Sequence, residues 1–176
     1  MKMMPPGVGI WYADLAAITT PSAPKLSEIT TGLAASTSPR VYNLSAAIAT
    51  GYKLEATKSD SIKSKSVIDT GNSDSRGAYN YDVSIPLFQE ALPLTNATSE
   101  YLVAMSLIGH KGVSCYLIKR LGKPYSVGLA VGDVVSVFQI NMDNPITNEG
   151  NPGAPITVDC VGGKAGFMAL NVSIVT

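Results

Sequence analysis

Few residues of this chain have the type and spacing that catalysis requires. His110 is the single histidine, and no Gly-x-Ser-x-Gly turn is present to pair a serine nucleophile with it. Cys115 and Cys160 lack the spacing of a zinc site, so we expect them to be buried free thiols, with a disulfide as the weaker alternative. The sequence therefore predicts neither an enzyme nor a cofactor.

Carboxylate and amide side chains offer a second kind of chemistry, calcium binding. Asp69, Asp74 and Asp82 stand near Asn72, but they do not form the regular Asp-x-Asp-x-Asp-Gly loop that such a site uses. The glycine-rich segment 162–166 leads into an apolar stretch and not into a helix, unlike a phosphate-binding loop. We interpret its glycines as a turn and predict no metal ion.

The most unusual part of the sequence is the polar segment 58–78, which separates two alternating stretches. Gly51–Thr57 and Tyr79–Ile85 alternate apolar and polar residues, the period of a half-buried strand. A connection this long inside a compact domain is normally functional or disordered. We expect a long inter-subunit loop, with a solvated flexible loop as the alternative. Its candidate contact residues are Lys58, Asp60, Lys63, Lys65, Asp69, Asp74 and Arg76.

The composition favours a single domain that self-associates. The chain has 176 residues, a size typical of one domain. Charged residues make up 15% of it, against about 25% in an average globular protein, so much of its surface is expected to be hidden in an assembly. Its 13 basic and 13 acidic residues cancel, whereas proteins that grip DNA through its phosphates carry a basic excess.

The N-terminal part of the chain carries no targeting signal. No apolar run follows Lys2, and no segment reaches the ~18 apolar residues of a membrane-spanning helix. We therefore expect cytoplasmic synthesis and no membrane insertion. Residues 1–25 contain several prolines and are predicted to form an extended arm with a short strand at Val8–Tyr12. Trp11 and Tyr12 within it would either close one end of the core or dock on a neighbouring subunit, where aromatic residues are enriched.

Short apolar stretches dominate the rest of the chain. A brief helical segment is predicted at 24–32, with Gly32 as its stop. Residues 98–108 are the one strong helix, which Gly109 ends. About eight short strands with one helix predict a mainly β fold, a β-sandwich or partly open barrel with one flanking α-helix and long extended arms. Strands are predicted at 41–49, 52–57, 79–88, 113–121, 133–142, 155–161 and 167–175.

The order of these elements matches one known family. The matching features are the arm with Trp11, the segment Pro24–Gly32, the hairpin that ends at Gly51–Thr57, the polar arm, the strand Tyr79–Phe88, the helix, and the strand that ends at Ile118–Arg120. Over nearly its whole length the chain resembles the tail tube (major tail) proteins of bacteriophages with long non-contractile tails, particularly those of actinobacteria. The lysine-rich arm and the segment Gly122–Tyr125 depart from the family pattern.

This resemblance implies a subunit that self-assembles into rings, usually hexameric, which stack into a tube for the ejection of viral DNA. The implied partners are further copies of the chain, other tail proteins (tape measure, tail terminator and distal tail) and DNA that passes without specific binding. The two arms would bridge adjacent rings. An acidic lumen makes Glu55 and Asp82 the candidate lumen-facing residues. The implied location is the virion tail, after synthesis in the host bacterial cytoplasm.

Two other functions fit the same composition. A soluble β-sandwich module that binds carbohydrate or a receptor would need an exposed aromatic platform, for which Trp11, Tyr12 and Tyr125 are the candidates. A virion decoration protein would share the low charge and the lack of catalytic residues.

Overall fold

The computed structural model of the chain describes residues 7–33, 39–58, 61–64, 73–76, 80–89, 99–149 and 155–176. Neither helix found there is long and apolar enough to cross a membrane. The described elements are, in order, β1 (Val8–Asp14), α1 (Leu26–Leu33), β2 (Val41–Asn43), β3 (Lys53–Thr57), β4 (Ser61–Ser64), β5 (Ser73–Arg76), β6 (Asn80–Phe88), α2 (Glu100–Ile108), β7 (Ser114–Leu121), β8 (Val134–Met142), β9 (Ile146–Asn148) and β10 (Thr157–Ser173).

Eight of these strands form one antiparallel sheet. Its hydrogen-bonded order is β2-β1-β7-β8-β10-β6-β3, and β9 pairs with the start of β10. The sheet must curl, because the Lys119 Nζ of β7 reaches the Leu54 carbonyl oxygen of β3 at 2.9 Å. The chain between β2 and β3 crosses the remaining gap, where Ile48 forms a bridge with Leu87 of β6. The mainly β prediction is confirmed, and the arrangement is the partly open barrel.

The inner face of the curled sheet holds the larger of two hydrophobic cores. Alternate residues of the strands point into it, as the period of a strand requires. Helix α2 closes one end with Tyr101, Ala104 and Ile108, all buried. The helix begins where the sequence predicts, because Ser99 accepts a hydrogen bond from the Leu102 amide at 3.1 Å and so caps its first turn.

A second core lies on the opposite face of β1, β7 and β8. Trp11 and Ile118 are buried there beneath Ile29 of α1 and Ile174 near the C-terminus. Strand β8 contributes to both cores, with Phe138, Ile140 and Met142 on one side and Val135 and Val137 on the other. A strand buried on both faces needs apolar residues at consecutive positions, which explains the adjacent buried residues Val137 and Phe138 in β8.

The N-terminal segment contains the predicted short strand, but this strand is part of the sheet and not of an arm. Residues Val8–Asp14 do not form an arm; they are β1, an interior strand between β2 and β7. The run from Gly9 to Ala13 lacks alternation because both faces of this strand are buried. The predicted helical segment is α1, so two helices and not one flank the sheet. Gly32 lies inside α1 and does not end it, and a Cβ there would lie 2.5 Å from the Val41 Cγ2.

The C-terminal strand differs as well. The sequence predicts two strands separated by a turn at Gly162-Gly163, whereas Thr157–Ser173 is a single strand. Two register shifts bend it, and Gly166, with φ of 93°, lies at the first. A Cβ at Gly162 would lie 2.4 Å from the Ile140 Cγ2. Glycine is therefore required at 162 by close approach of the neighbouring side chain, not by a turn.

This close approach can be tested with adjacent substitutions. We expect Gly162→Ala to lower the free energy of unfolding by about 1–3 kcal/mol, the usual cost of overpacking. Gly163→Ala is the matched control, because its Cβ would be 3.9 Å from the nearest atom, the Asn141 carbonyl oxygen. Urea unfolding of dilute protein, followed by the fluorescence of the single tryptophan, measures the free energy of unfolding of both variants. Equal losses in the two variants would contradict the interpretation.

Candidate assembly surfaces

Part of the outer face of the sheet carries a polar band that no described element covers. Glu55 of β3 pairs directly with Asp82 of β6, and both side chains are exposed. The band continues across β10, β8 and β7, where Gly163 pairs with Asn141 and Asn141 with Ser114. These three residues are also exposed. The two predicted lumen candidates are thus brought together on one surface.

The pairing of Glu55 with Asp82 costs the isolated subunit stability. Like charges directly opposite each other on a sheet repel, typically by a few tenths of a kcal/mol up to about 1 kcal/mol. Among the described residues no ion pair includes either carboxylate, although Lys53 is exposed on the same face of β3. Selection for the stability of the subunit alone would not favour two carboxylates placed opposite each other.

The polar segment after β3 contains a short hairpin. Strands β4 and β5 pair antiparallel, with Lys63 opposite Asp74 and Arg76 opposite Ser61 in register. The segment 58–78 is therefore partly β structure and not a plain loop. Its serine-rich sequence has low strand propensity, so sequence alone did not predict this hairpin.

The other charged residues of the segment can be placed only in part. Lys58 is exposed, and its carbonyl oxygen accepts a hydrogen bond from the Asn80 Nδ2 at 3.1 Å. This contact joins the two ends of the segment where it leaves β3 and enters β6. The predicted contacts at Asp60, Lys65 and Asp69 lie outside the described residues.

The two aromatic residues of β1 lie in the core. Trp11 is 2% exposed and Tyr12 is 8% exposed, and burial raises the pKa of Tyr12 to about 12. The structure therefore supports the core alternative and removes both side chains from the surface that a neighbour could contact. It also removes most of the aromatic platform that a carbohydrate-binding module would need, since only Tyr125 of the three candidates is exposed.

A buried ion pair joins the two ends of the connection between β7 and β8. The Nη1 of Arg120 donates to the Oδ2 of Asp133 at 2.9 Å, and the two side chains are 1% and 3% exposed. The Arg120 guanidinium also lies 4.9 Å from the ring centre of Trp11. Lys123 donates to the second oxygen of Asp133. No spacing rule marks these three residues, so sequence reasoning missed them.

Arg120 also orders the connection itself. Its two terminal nitrogens donate to three backbone carbonyl oxygens at 2.6 to 3.0 Å. Burial alone would raise the pKa of Asp133, but hydrogen bonds from Lys123 and Arg120 outweigh burial and lower this pKa from its ordinary value of 3.8. The carboxylate is thus held in its charged form. The accepting carbonyls belong to Pro124, Val127 and Gly128.

Two groups of apolar side chains are exposed near these elements. The first lies on the β7–β8 loop, by which we mean residues Leu121–Val134. The second, which we call the end patch, lies beside the first residues of β10, with Phe88 and Ile146 on the outer face of the sheet and Ile156 on the opposite one. The loop group is Leu121, Tyr125, Val127, Val131 and Val134, and the end patch is Phe88, Ile146 and Ile156.

The buried ion pair predicts a particular dependence of stability on pH. A carboxyl group whose pKa is lowered by folding stabilises the protein above its unfolded pKa, about 3.9, and this contribution is lost as the pH falls through the folded value. We expect Asp133→Asn to cost about 3–5 kcal/mol at pH 7, because it leaves Arg120 buried without a counter-charge. The difference in the free energy of unfolding between this variant and the unsubstituted chain should shrink below about pH 4.

The exposed pair Lys111–Asp143, with side chains 70% and 61% exposed, provides the control. Asp143→Asn should change stability by less than about 1 kcal/mol, as is usual for a surface pair. Urea unfolding of all three proteins between pH 3 and pH 7 measures both effects. An Asp133→Asn variant as stable as Asp143→Asn would contradict the role of the buried pair.

Comparison with known proteins then gives the family. The sequence model of the phage tail tube proteins matches residues 8–176, from the first residue of β1 to the last residue of the chain. Among curated proteins no match was found. Proteins of this family are structural and not enzymatic, in line with the sequence prediction. The chain therefore belongs to the phage tail tube proteins, which are components of the virion tail that self-assemble and associate with other tail proteins.

Proposed function

We propose that the chain forms hexameric rings that stack into the tube of a long non-contractile tail, through which viral DNA passes into the host. The polar band that contains Glu55 and Asp82 is the observation that carries this proposal. In this proposal the band lines the lumen of the tube. The opposite end of the outer face, over β1, β7 and β8, is covered by α1 and lies toward the outside of the tube.

The chemistry of the band suits a conduit for DNA. Proteins bind duplex DNA mainly by neutralising its phosphates with lysine and arginine, so a lining of carboxylates and small polar groups leaves the DNA free to slide. Ring symmetry repeats the Glu55–Asp82 pair in every copy. Each copy thus adds two carboxylates and the ammonium group of Lys53 to the lining, which is net negative.

The free edges of the sheet supply a way to close the ring. Strand β3 ends the hydrogen-bonded order of the sheet, and an exposed edge strand is a template for pairing with another chain. In our proposal an edge of one copy pairs with an edge of the next, and the sheets join around the lumen. The interface between copies then uses two different surfaces, as a ring of more than two members requires.

The hairpin β4–β5 and its flanking residues serve as the bridge to the adjacent ring. The segment leaves the barrel between β3 and β6, so it extends from the sheet that lines the lumen. Its charged residues are the proposed contacts with the next ring. Other tail proteins (tape measure, tail terminator and distal tail) bind the tube or its two ends. The chain is made in the bacterial cytoplasm and carried in the virion tail.

The lining can be tested by reversing its charge. We expect the double variant Glu55→Lys, Asp82→Lys to form tubes but to slow DNA ejection and lower infectivity at least tenfold, because the phosphates would bind the new ammonium groups. The matched control is Glu55→Gln, Asp82→Asn, which should eject DNA normally. It should also stabilise the subunit by a few tenths of a kcal/mol up to about 1 kcal/mol by removing the repulsion.

Phage genomes complemented with each variant, assayed for virion assembly, DNA release and plaque formation, measure the outcome. Normal DNA release from assembled virions that contain the lysine variant would place the band away from the lumen. Failure of that variant to form tubes while the neutral variant forms them would make the band a contact surface and not a lining.

The bridging role of the polar segment can be tested by deletion. Removal of residues 59–77 leaves Lys58, Ala78 and Tyr79 to connect Thr57 with Asn80, which pair in register, and a loop of this length closes a hairpin readily. We expect the variant to keep its fold by circular dichroism but to stop tube growth in negative-stain images. Tubes of normal length from the deleted chain would contradict this role.

A further inference from the structure

Strand β10 belongs to two parts of the sheet and leaves one of them at Gly162. Its first half pairs with β6, and the last of these pairs joins Gly162 to Val83. From Gly162 to Ser173 it pairs with β8, whereas residues 80–82 of β6 pair with β3 alone within the described part of the chain. Strands β6 and β10 therefore diverge after Gly162, at a point that we call the fork.

A bulge in β10 follows the fork. The register with β8 shifts between Lys164 and Met168, where three residues of β10 face Gln139 of β8 alone. A regular antiparallel ladder would place one residue there. The bulge therefore contains two extra residues and leaves Gln139 without a paired residue on β10.

The two extra residues are Ala165 and Gly166. The third, Phe167, keeps the place opposite Gln139, because its ring lies 6.3 Å from that of Tyr116 between ring centres, and Tyr116 is the β7 partner of Gln139. Gly166 has a φ of 93°, which glycine adopts without strain. Removal of Ala165 and Gly166 would thus leave a continuous register between β8 and β10.

The hydroxyl of Tyr81 in β6 reaches across the fork and binds both strands at the bulge. It accepts a hydrogen bond from the Ala165 amide at 2.8 Å and donates one to the Gln139 carbonyl oxygen. Buried backbone groups without a partner are costly. One side-chain hydroxyl therefore replaces the backbone pairing that the bulge interrupts.

The surroundings of Tyr81 hold its hydroxyl in place. Its side chain is 6% exposed, and its ring lies 5.7 Å from that of Phe138 between ring centres. Burial raises the pKa of Tyr81 above its ordinary value of 10.0, so the hydroxyl keeps the proton that it donates. A tyrosine side chain has only two torsions, and a packed ring therefore fixes the position of its hydroxyl.

Tyr81 also connects the bulge to the carboxylates of the polar band. The next residue of β6 is Asp82, whose partner on β3 is Glu55. Within the described residues the Lys119 Nζ also reaches β3, at the Leu54 carbonyl oxygen, but the stem of a lysine is flexible. The angle at which the carboxylate pair is held therefore depends chiefly on Tyr81.

We infer that the Tyr81 hydroxyl is a positioning group that locks the angle between strands β3 and β6 on one side and β7 and β8 on the other. Strands that pass from one sheet to another through a bulge form the corners of β structures, and Tyr81 holds such a corner. The inference rests on the proposed function in one respect, that β3 and β6 line the tube. Every copy then carries this corner, so the lock sets the width of the lumen.

Removal of the hydroxyl tests the lock in the isolated subunit. Tyr81→Phe keeps the ring, and we expect the Ala165 amide to exchange with solvent at least about tenfold faster, because its opening no longer breaks a hydrogen bond. NMR measures this exchange at the single amide. Tyr101→Phe is the matched control, because Tyr101 is 7% exposed in the same core and its hydroxyl has no hydrogen bond within the described residues. It should leave the exchange unchanged.

Spin labels measure the angle directly. Labels on Thr57→Cys and Leu121→Cys, at exposed positions of β3 and β7, report the distance between the two sides by pulsed electron paramagnetic resonance. Tyr81→Phe should at least double the width of the distance distribution. The native thiols of Cys115 and Cys160 stay unlabelled, because both are buried and burial raises the pKa of each to about 12.

A deletion separates the lock from simple packing of the Tyr81 ring. Without Ala165 and Gly166 the register is continuous and needs no bridging hydroxyl, so Tyr81→Phe should not widen the label distances in that background. Equal effects of Tyr81→Phe with and without the bulge would overturn the lock, since independent changes add. If Tyr81→Phe alone does not fold, the deletion should restore folding, and a failure to restore it would also overturn the lock.

The outcomes in tubes separate this inference from the proposed function. Electron cryomicroscopy of Tyr81→Phe tubes should show at least a twofold wider spread of lumen widths than tubes of Tyr101→Phe. A looser subunit that builds tubes of uniform width would overturn the link between the lock and the lumen. Absence of tubes from the unsubstituted chain in the virion would contradict the proposed function, while the label distances would still decide whether the lock exists.

Discussion

The buried pair of Arg120 with Asp133 is the interaction on which the exposed parts of this molecule depend. It joins the end of β7 to the start of β8 and satisfies three backbone carbonyls of the loop between them. The same guanidinium lies over Trp11 of β1. Charges this deeply buried are costly unless they are paired and hydrogen-bonded. The pair therefore couples three adjacent strands, the outer core and the shape of the most apolar loop.

The two sides of the sheet, β1, β7 and β8 on one and β3 and β6 on the other, differ in how far their residues are buried. Strands β1, β7 and β8 contribute buried residues to both cores, and α1 covers part of their outer face. Strands β3 and β6 bury Leu54, Tyr81 and Val83 on their inner face and expose Lys53, Glu55 and Asp82 on the other. Burial is thus concentrated on one side of the sheet, and the exposed pair Glu55 and Asp82 lies on the other.

The sequence predicts some elements of this fold well and others badly, for physical reasons. Strand β8 and helix α2 carry strong local signals, a high density of apolar residues in the strand and a serine cap in the helix. Gly162 was misinterpreted because glycine serves turns and close packing equally, and only the position of Ile140 distinguishes the two. The alternation in β3 and β6 placed Glu55 and Asp82 on polar faces, but their direct pairing depends on the register of a hairpin that sequence does not set. Arg120 has no local signature, because its partners come from tertiary structure.

The charge of the proposed lining, carried by Glu55 and Asp82, acts only over a short range. At physiological ionic strength mobile ions screen charge over about 8 Å, which exceeds the roughly 5 Å between cross-strand neighbours but is far less than the width of duplex DNA. In the proposed tube, DNA near the axis would therefore feel little of this charge, while DNA that approached the wall would be repelled. Such short-range repulsion would keep the DNA away from the wall without binding it.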